Sequence, residues 1–147
     1  MKIAVLGAGM VGRAIAEDLA ISFEVTSFDK SSESLALLAQ KAPSVKTEKL
    51  NLSESESYNK LLKPFDIVVT AVPGFMGFSI LKQVIAAGKN VVDISFSPED
   101  TLQLNMLAQE NNVTAIVDCG VAPGMSNLVL GRYNEEMKVD NFECYVG

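Results

Sequence analysis

Three glycines in "GAGMVG", Gly7, Gly9 and Gly12, stand in the spacing G-x-G-x-x-G, and Asp29 follows about 20 residues after Gly9. Residues of these types at this spacing can hold a pyrophosphate. Gly7 lets the chain turn tightly, Gly9 lets backbone amides approach the phosphates, and Gly12 lets a helix pack closely on a strand. The intervening Ala8, Met10 and Val11 complete the loop. Bound phosphates would face the positive end of the helix that the loop opens. Asp29 is suited to accept hydrogen bonds from the ribose hydroxyls of an adenosine. A carboxylate there repels the extra phosphate of NADP, so NAD is expected ahead of NADP. Lys30, beside it, is a cation that would offset part of that repulsion. Asn51 either lines the adenine pocket or serves as a plain turn residue.

Other groups suggest where a reaction would run. "AVPG" places Ala71, Val72, Pro73 and Gly74 at the end of an apolar run, where stiff and thin backbone could border a nicotinamide ribose. Asp93 and Asp118 end later apolar runs, and each is a candidate base or a carboxylate that hydrogen-bonds a loop. The chain has no histidine, and its two cysteines, Cys119 and Cys144, show no metal-ligand spacing, so neither a common zinc site nor a disulfide framework is expected. Cys119 reads most simply as a small buried hydrophobe rather than a nucleophile.

These groups must be positioned by regular elements. "KIAVLG" (2–7), "EVTSFD" (24–29), "FDIVVTAVPG" (65–74), "NVVDIS" (90–95) and "VTAIVDCG" (113–120) are apolar or β-branched runs that read as buried strands. "SVKTEKLNL" (44–52) is a more polar strand near an edge, and "NFECYVG" (141–147) a last strand. Between them, apolar residues recur at helical spacing over 10–20, 32–41, 53–62, 78–88, 97–112 and 126–137. Ser53 and Glu56 have capping-box spacing, Ser97 and Pro98 read as a cap and first helical position, and Gly88 as a stop. Ser126 or Asn127 would cap the last helix.

Strand and helix alternate six times, without a linker or low-complexity stretch. Such a pattern builds an α/β fold, a doubly wound parallel sheet of Rossmann type with strand order 3-2-1-4-5-6. Ligands then gather at the carboxyl ends of strands one and four, where the order reverses. With 48% hydrophobic residues the chain of 147 can fill such a core, and a formal charge of −6 argues against nucleic acid or an anionic membrane as partner. The apolar start is too short for a signal peptide, and no run approaches the roughly 20 residues of a membrane span. A reduced, cytoplasmic protein is expected.

Three stretches, "AVPGFMGFSILKQVI", "VVDISFSPED" and "DCGVAPGMSNLVLGR", resemble the saccharopine dehydrogenase family, and within it the lysine 6-dehydrogenase-like branch. The resemblance implies a nicotinamide-dependent oxidoreductase that oxidises a carbon–nitrogen bond of lysine or a lysine adduct. It assigns the glycine loop to pyrophosphate, Asp29 to the ribose, and Ala71, Val72 and Pro73 to the nicotinamide half. Ser95 and Phe96 would line the reaction centre. Asp118, Cys119, Gly120, Pro123 and Gly124 would floor it. It also implies that residues 1–125 are the dinucleotide-binding domain, and that 126–147 are a connecting helix and the start of a substrate and dimerisation domain. The full-length enzyme would then be a homodimer or higher homo-oligomer acting on a small amino-acid substrate, and this piece alone would be inactive. A different class, a regulatory NAD-sensing module without chemistry, shares the glycine fingerprint but leaves "DCGVAPGMSN" unexplained. An interaction domain that has lost its cofactor is opposed by the intact glycines and Asp29.

Overall fold

Alternation along β1 (Lys2–Leu6) sends Ile3 and Val5 to one face of a sheet and Ala4 and Leu6 to the other, and all four are buried. A strand covered on both sides belongs at the centre of a parallel sheet. β1 pairs in parallel with β2 (Glu24–Asp29) on one side and β4 (Ile67–Thr70) on the other. β3 (Lys46–Lys49), β5 (Asn90–Asp93) and β6 (Ala115–Ile116) complete the six parallel strands in the order β3-β2-β1-β4-β5-β6, as expected from the sequence. The structure, a computed structural model, describes residues 1–54 and 57–145.

Each face has its own core. α1 (Met10–Leu19) and α2 (Ser32–Lys41) cover one side, where Ala16 and Leu38 meet Ile3, Val5, Val25 and Val69. α3 (Tyr58–Leu62), α4 (Gly74–Ala86) and α5 (Asn105–Glu110) cover the other. There Leu62, Ile80, Leu81 and Val84 pack on Ala4, Leu6 and Val68. Phe28 and Phe65 meet edge to face in this second core, with ring centroids 5.8 Å apart. Burying a side chain of this size contributes about 1.5–3 kcal/mol, so the two layers hold the central strands rigid beneath whatever binds at their ends. α6 (Met125–Glu136) is different, since none of its residues is buried. Among the described residues, no helix is long and apolar enough to cross a membrane.

Several element boundaries differ from the sequence pattern, for local reasons. α4 begins at Gly74, four residues earlier than its apolar periodicity, and Gly88 follows its end with φ +68°. The helix expected from residue 53 starts only at Tyr58, capped by Ser57, whose Oγ accepts from the Lys60 amide at 3.4 Å. Ser53 instead donates its own amide to Asn51 Oδ1 at 3.2 Å, a side-chain turn that competes with helix. Glu56, its expected capping partner, lies outside the described residues.

The helix expected over 97–112 is a 3-10 turn (Thr101–Leu104) followed by α5, and its cap is Asp100, which accepts from the Leu102 amide at 3.0 Å. Ser97 does not cap, because it is drawn against Gly77 of α4, where a Cβ would stand 2.6 Å from its Oγ. β6 has two residues rather than eight, and Asp118, two residues past its end, has φ +53°. α6 starts after Gly124, and Asn127 Oδ1 reaches back to accept from the Gly124 amide at 3.3 Å, while Ser126 lies in the first turn. Residues 141–145 form no strand, and 146–147 lie outside the described residues.

Tyr58 fixes the connection between β3 and α3, its hydroxyl donating to the Leu52 carbonyl at 2.9 Å. Burial pushes its phenol up to about 12. The native state therefore favours the neutral phenol, so this contribution is intact below the ordinary value of about 10 and is lost as pH rises through about 12. Tyr58→Phe should cost about 1 kcal/mol near neutrality. Chemical denaturation of both proteins should show the gap between them narrowing across that alkaline window. Parallel curves would show that burial does not perturb the phenol.

Candidate dinucleotide site

At the carboxyl ends of β1 and β4 the strand order reverses, and three stretches of backbone meet there almost without side chains. Gly7 follows β1, donates its amide to the Phe28 carbonyl at 2.8 Å, and adopts φ +107°. A Cβ on Gly7 would stand 2.3 Å from the Ala71 carbonyl oxygen, and one on Gly12 would stand 2.1 Å from the Gly7 oxygen. Both positions therefore exclude any side chain. Gly9 is the opposite case, with nothing within 4 Å of where a Cβ would point. Open space over Gly9, in front of a helix whose start has no side-chain cap, is what a diphosphate requires.

Asp29 closes the loop from the side. Its Oδ2 accepts from the Ala8 amide at 2.6 Å and its Oδ1 from the Ser31 amide at 2.8 Å. A carboxylate offers about four acceptor positions, so both oxygens keep capacity for ribose hydroxyls. The bond to Ala8 shows a second task that spacing alone did not reveal: Asp29 holds the glycine loop in shape. Ala8 itself is buried, with its amide committed to Asp29, so it supports the loop from behind.

A cleft of about 460 Å³ runs across this junction, within the range of small-molecule sites. It brings together Gly7, Gly9, Met10, Val11 and Gly12 with Asp29, Lys30 and Asn51, and these with Ala71, Val72 and Pro73. Leu50, Leu52, Ser53, Phe75, Met76 and Ile94 also line it, and these were missed in the sequence. The available signal was position: Leu50 and Leu52 flank Asn51, and Phe75 follows Pro73 and Gly74 at a strand end.

Other candidates lie behind or beside the cleft. Gly74 is packed against the Phe96 backbone, where a Cβ would meet the carbonyl oxygen at 2.0 Å, and the Phe96 ring is exposed. Asp93 is fully buried. Its Oδ1 accepts from the Thr70 hydroxyl and from the Ser95 amide at 3.1 Å, and its backbone carbonyl accepts from the Cys119 amide at 3.0 Å. These bonds tie β4, β5 and the segment after β6 together, and the carboxylate is closed off from the cleft. Asp93, a candidate base in the sequence, thus stands in the structure as a buried carboxylate that cross-links the sheet. Ser95 is buried beside it.

Asp118 and Cys119 are exposed at the β6 end of the sheet, outside the lining of this cleft. Cys119 is therefore not the buried hydrophobe expected, because β6 ends at Ile116 and the chain there has already left the sheet. The turn beyond them is tight: Gly124 has φ +131°, and a Cβ there would stand 2.1 Å from the Gly120 oxygen. Pro123, half-buried, completes that turn. Among the described residues no group of three or more Cys, Asp or Glu is arranged to hold a metal ion.

The family model described as "Saccharopine dehydrogenase NADP binding domain" matches residues 3–116. An alpha-aminoadipic semialdehyde synthase of Arabidopsis thaliana is 26% identical over 70% of this chain and 10% of its own length. A saccharopine dehydrogenase [NADP(+), L-glutamate-forming] of Pyricularia oryzae is 23% identical over 99% of this chain. The chain spans 34% of that relative's length. Among solved structures, apo saccharopine dehydrogenase (L-Glu forming) of Saccharomyces cerevisiae superimposes with a TM-score of 0.80 at 22% identity, over 92% of this chain and 31% of that one. GenD2 from gentamicin A biosynthesis, in complex with NAD, gives 0.61 at 26% identity, over 80% and 34%. The open glycine loop at the switch point and a family match over most of the chain lead to one assignment: the chain belongs to the saccharopine dehydrogenase family, as its Rossmann-type nicotinamide dinucleotide-binding domain.

Proposed function

We propose that this chain binds NAD, in preference to NADP, as the cofactor half of an oxidoreductase acting on the CH–NH bond of lysine or a lysine adduct. The observation that carries the binding proposal is the open space over Gly9, flanked by an uncapped helix start and by Asp29. The names of the family model and of the Pyricularia relative contain NADP. The feature of this chain that opposes a 2′-phosphate is the Asp29 carboxylate, held in place by two backbone amides.

Bound nicotinamide would supply the hydride acceptor, and the chain's own part is to hold and orient. The glycine loop and the first turn of α1 would carry the diphosphate, and Asp29 the adenosine ribose. Ala71, Val72 and Pro73 would wall the other half. An amine gives up hydride from the adjacent carbon only when its nitrogen is neutral, and a lysine ammonium has an unperturbed pKa of about 10.4. A general base must take that proton, worth roughly 10² to 10⁴ in rate. Asp118 is the carboxylate of this chain open to solvent at the β6 end of the sheet, and it is the residue we put forward for that role. The lysine 6-dehydrogenase-like activity, the substrate-binding groups and a homo-oligomeric assembly belong to a longer polypeptide under this proposal, and the isolated chain is expected to bind cofactor without turnover.

Two measurements test it. Asp29→Asn removes a charge that both repels a 2′-phosphate and holds Ala8. Calorimetric titration should show weaker NADH binding, by about tenfold, and a smaller NADH-over-NADPH ratio. Wild-type protein that binds NADPH more tightly than NADH would refute the stated cofactor preference. For the reaction, a full-length protein carrying this domain should reduce NAD with lysine as substrate, and Asp118→Asn should lower kcat at least 100-fold. Turnover of saccharopine but not lysine would rule out the lysine 6-dehydrogenase-like branch.

A further inference from the structure

The apolar core under α4 ends in a polar patch. Alternation along β5 puts Val91 in the core on the α4 side of the sheet, and Asp93 follows on the same face, beside Thr70 of β4. Past the strand the chain stays against α4. A Cβ on Gly77 would stand 2.8 Å from the Ser95 Cβ, 3.4 Å from its Oγ and 2.6 Å from the Ser97 Oγ. Three oxygens of this patch, Asp93 Oδ2, Ser95 Oγ and Ser97 Oγ, are closed to water and have no hydrogen-bond partner among the described residues. Buried polar groups are nearly always paired, and each one left bare carries a cost that contact with water would remove.

The first turn of α4 seals this patch, and little holds that turn down. Its N-cap, Pro73, offers no side-chain acceptor to the free amides of the helix start. Phe75 is 80% exposed, Met76 is half-buried, and Ile80 is the first fully buried apolar side chain of the helix. Gly74 and Gly77 meet residues 95–97 as bare backbone, and no backbone hydrogen bond joins the two segments among the described residues. Few buried apolar contacts above unpaired polar groups mark a segment that opens locally at low free energy. We propose that residues 74–77 form a gate: the first turn of α4 lifts off residues 95–97, lets water reach Asp93 Oδ2 and the two serine hydroxyls, and re-seats. Ile80, Leu81 and Val84 keep the rest of the helix on the sheet. Because Pro73, Phe75 and Met76 line the cleft, the same movement widens it beside β4, and a ligand held against them favours the seated turn. That coupling alone rests on the dinucleotide reading of the cleft.

Native-state hydrogen exchange of the ligand-free protein reads the gate at the amides of Phe78, Ser79 and Ile80, whose helical acceptors are the carbonyls of residues 74–76. They should exchange roughly tenfold faster than the amides of residues 81–84. Ser97→Ala removes one unpaired hydroxyl from the seated state, so it should slow exchange at 78–80 by about 5- to 30-fold, and Ser95→Ala should do the same. Thermal midpoints no lower than that of the wild type would show that both variants fold. Equal exchange across 78–84 would overturn the gate. So would exchange at 78–80 that neither variant slows, which would be ordinary fraying of a helix end. Saturating NAD should slow the same three amides further. NAD that binds, by shifts at Gly9, without slowing them would refute the coupling to the cleft. Protein that binds no NAD would overturn the dinucleotide reading and leave the gate standing.

Discussion

The arrangement depends on one close backbone junction, where the carbonyl of Ala71 lies under Gly7 and the carbonyl of Gly7 lies under Gly12. Because no side chain intervenes, the first turn of α1 can settle directly over the ends of β1 and β4. That proximity aims the helix start, with its unpaired amides, at the point where the strand order reverses. A single Cβ at Gly7 or Gly12 would have to displace backbone rather than a flexible side chain. The strands underneath can resist such displacement because they are packed on both faces.

Asp29 converts this junction into a site. By taking the Ala8 amide it ties β2 to the glycine loop, and by taking the Ser31 amide it also orders the start of α2. The loop is thus shaped by the protein before any ligand arrives, which lowers the ordering cost of binding. Asp93 performs a comparable task three strands away, joining Thr70, Ser95 and Cys119. The two aspartates look alike in sequence, each at the end of an apolar run. They differ because Asp29 borders open space, whereas α4 and the chain after β5 close over Asp93.

The sheet was legible because its signal is local and strong. Continuous runs such as "KIAVL" and "IVVT" bury both faces, and the helices between them dictate parallel pairing. The glycine loop was legible for the same reason, since each glycine answers a steric demand made within a few residues. What was not legible depended on distant packing. "SPED" looks like a helix start, yet Ser97 is drawn beneath α4 because Gly77 leaves room for it, so the turn begins later at Asp100. Phe75 lay outside the apolar helical pattern expected over 78–88, and it is the early start of α4 at Gly74 that puts it in the lining of the cleft. α6 followed its periodicity, but none of its residues is buried, so its apolar positions say nothing about what they would cover.

The central claim is that a dinucleotide binds across the reversal of strand order. Titrating ¹⁵N-labelled protein with NAD and following amide resonances tests it most directly. The account predicts saturable shifts concentrated at Gly9, Met10, Val11 and Gly12, with further shifts at Lys30, Asn51 and Ala71. No saturable shift, or shifts confined to the groove between α1 and α2 around Leu37 and Lys41, would contradict it.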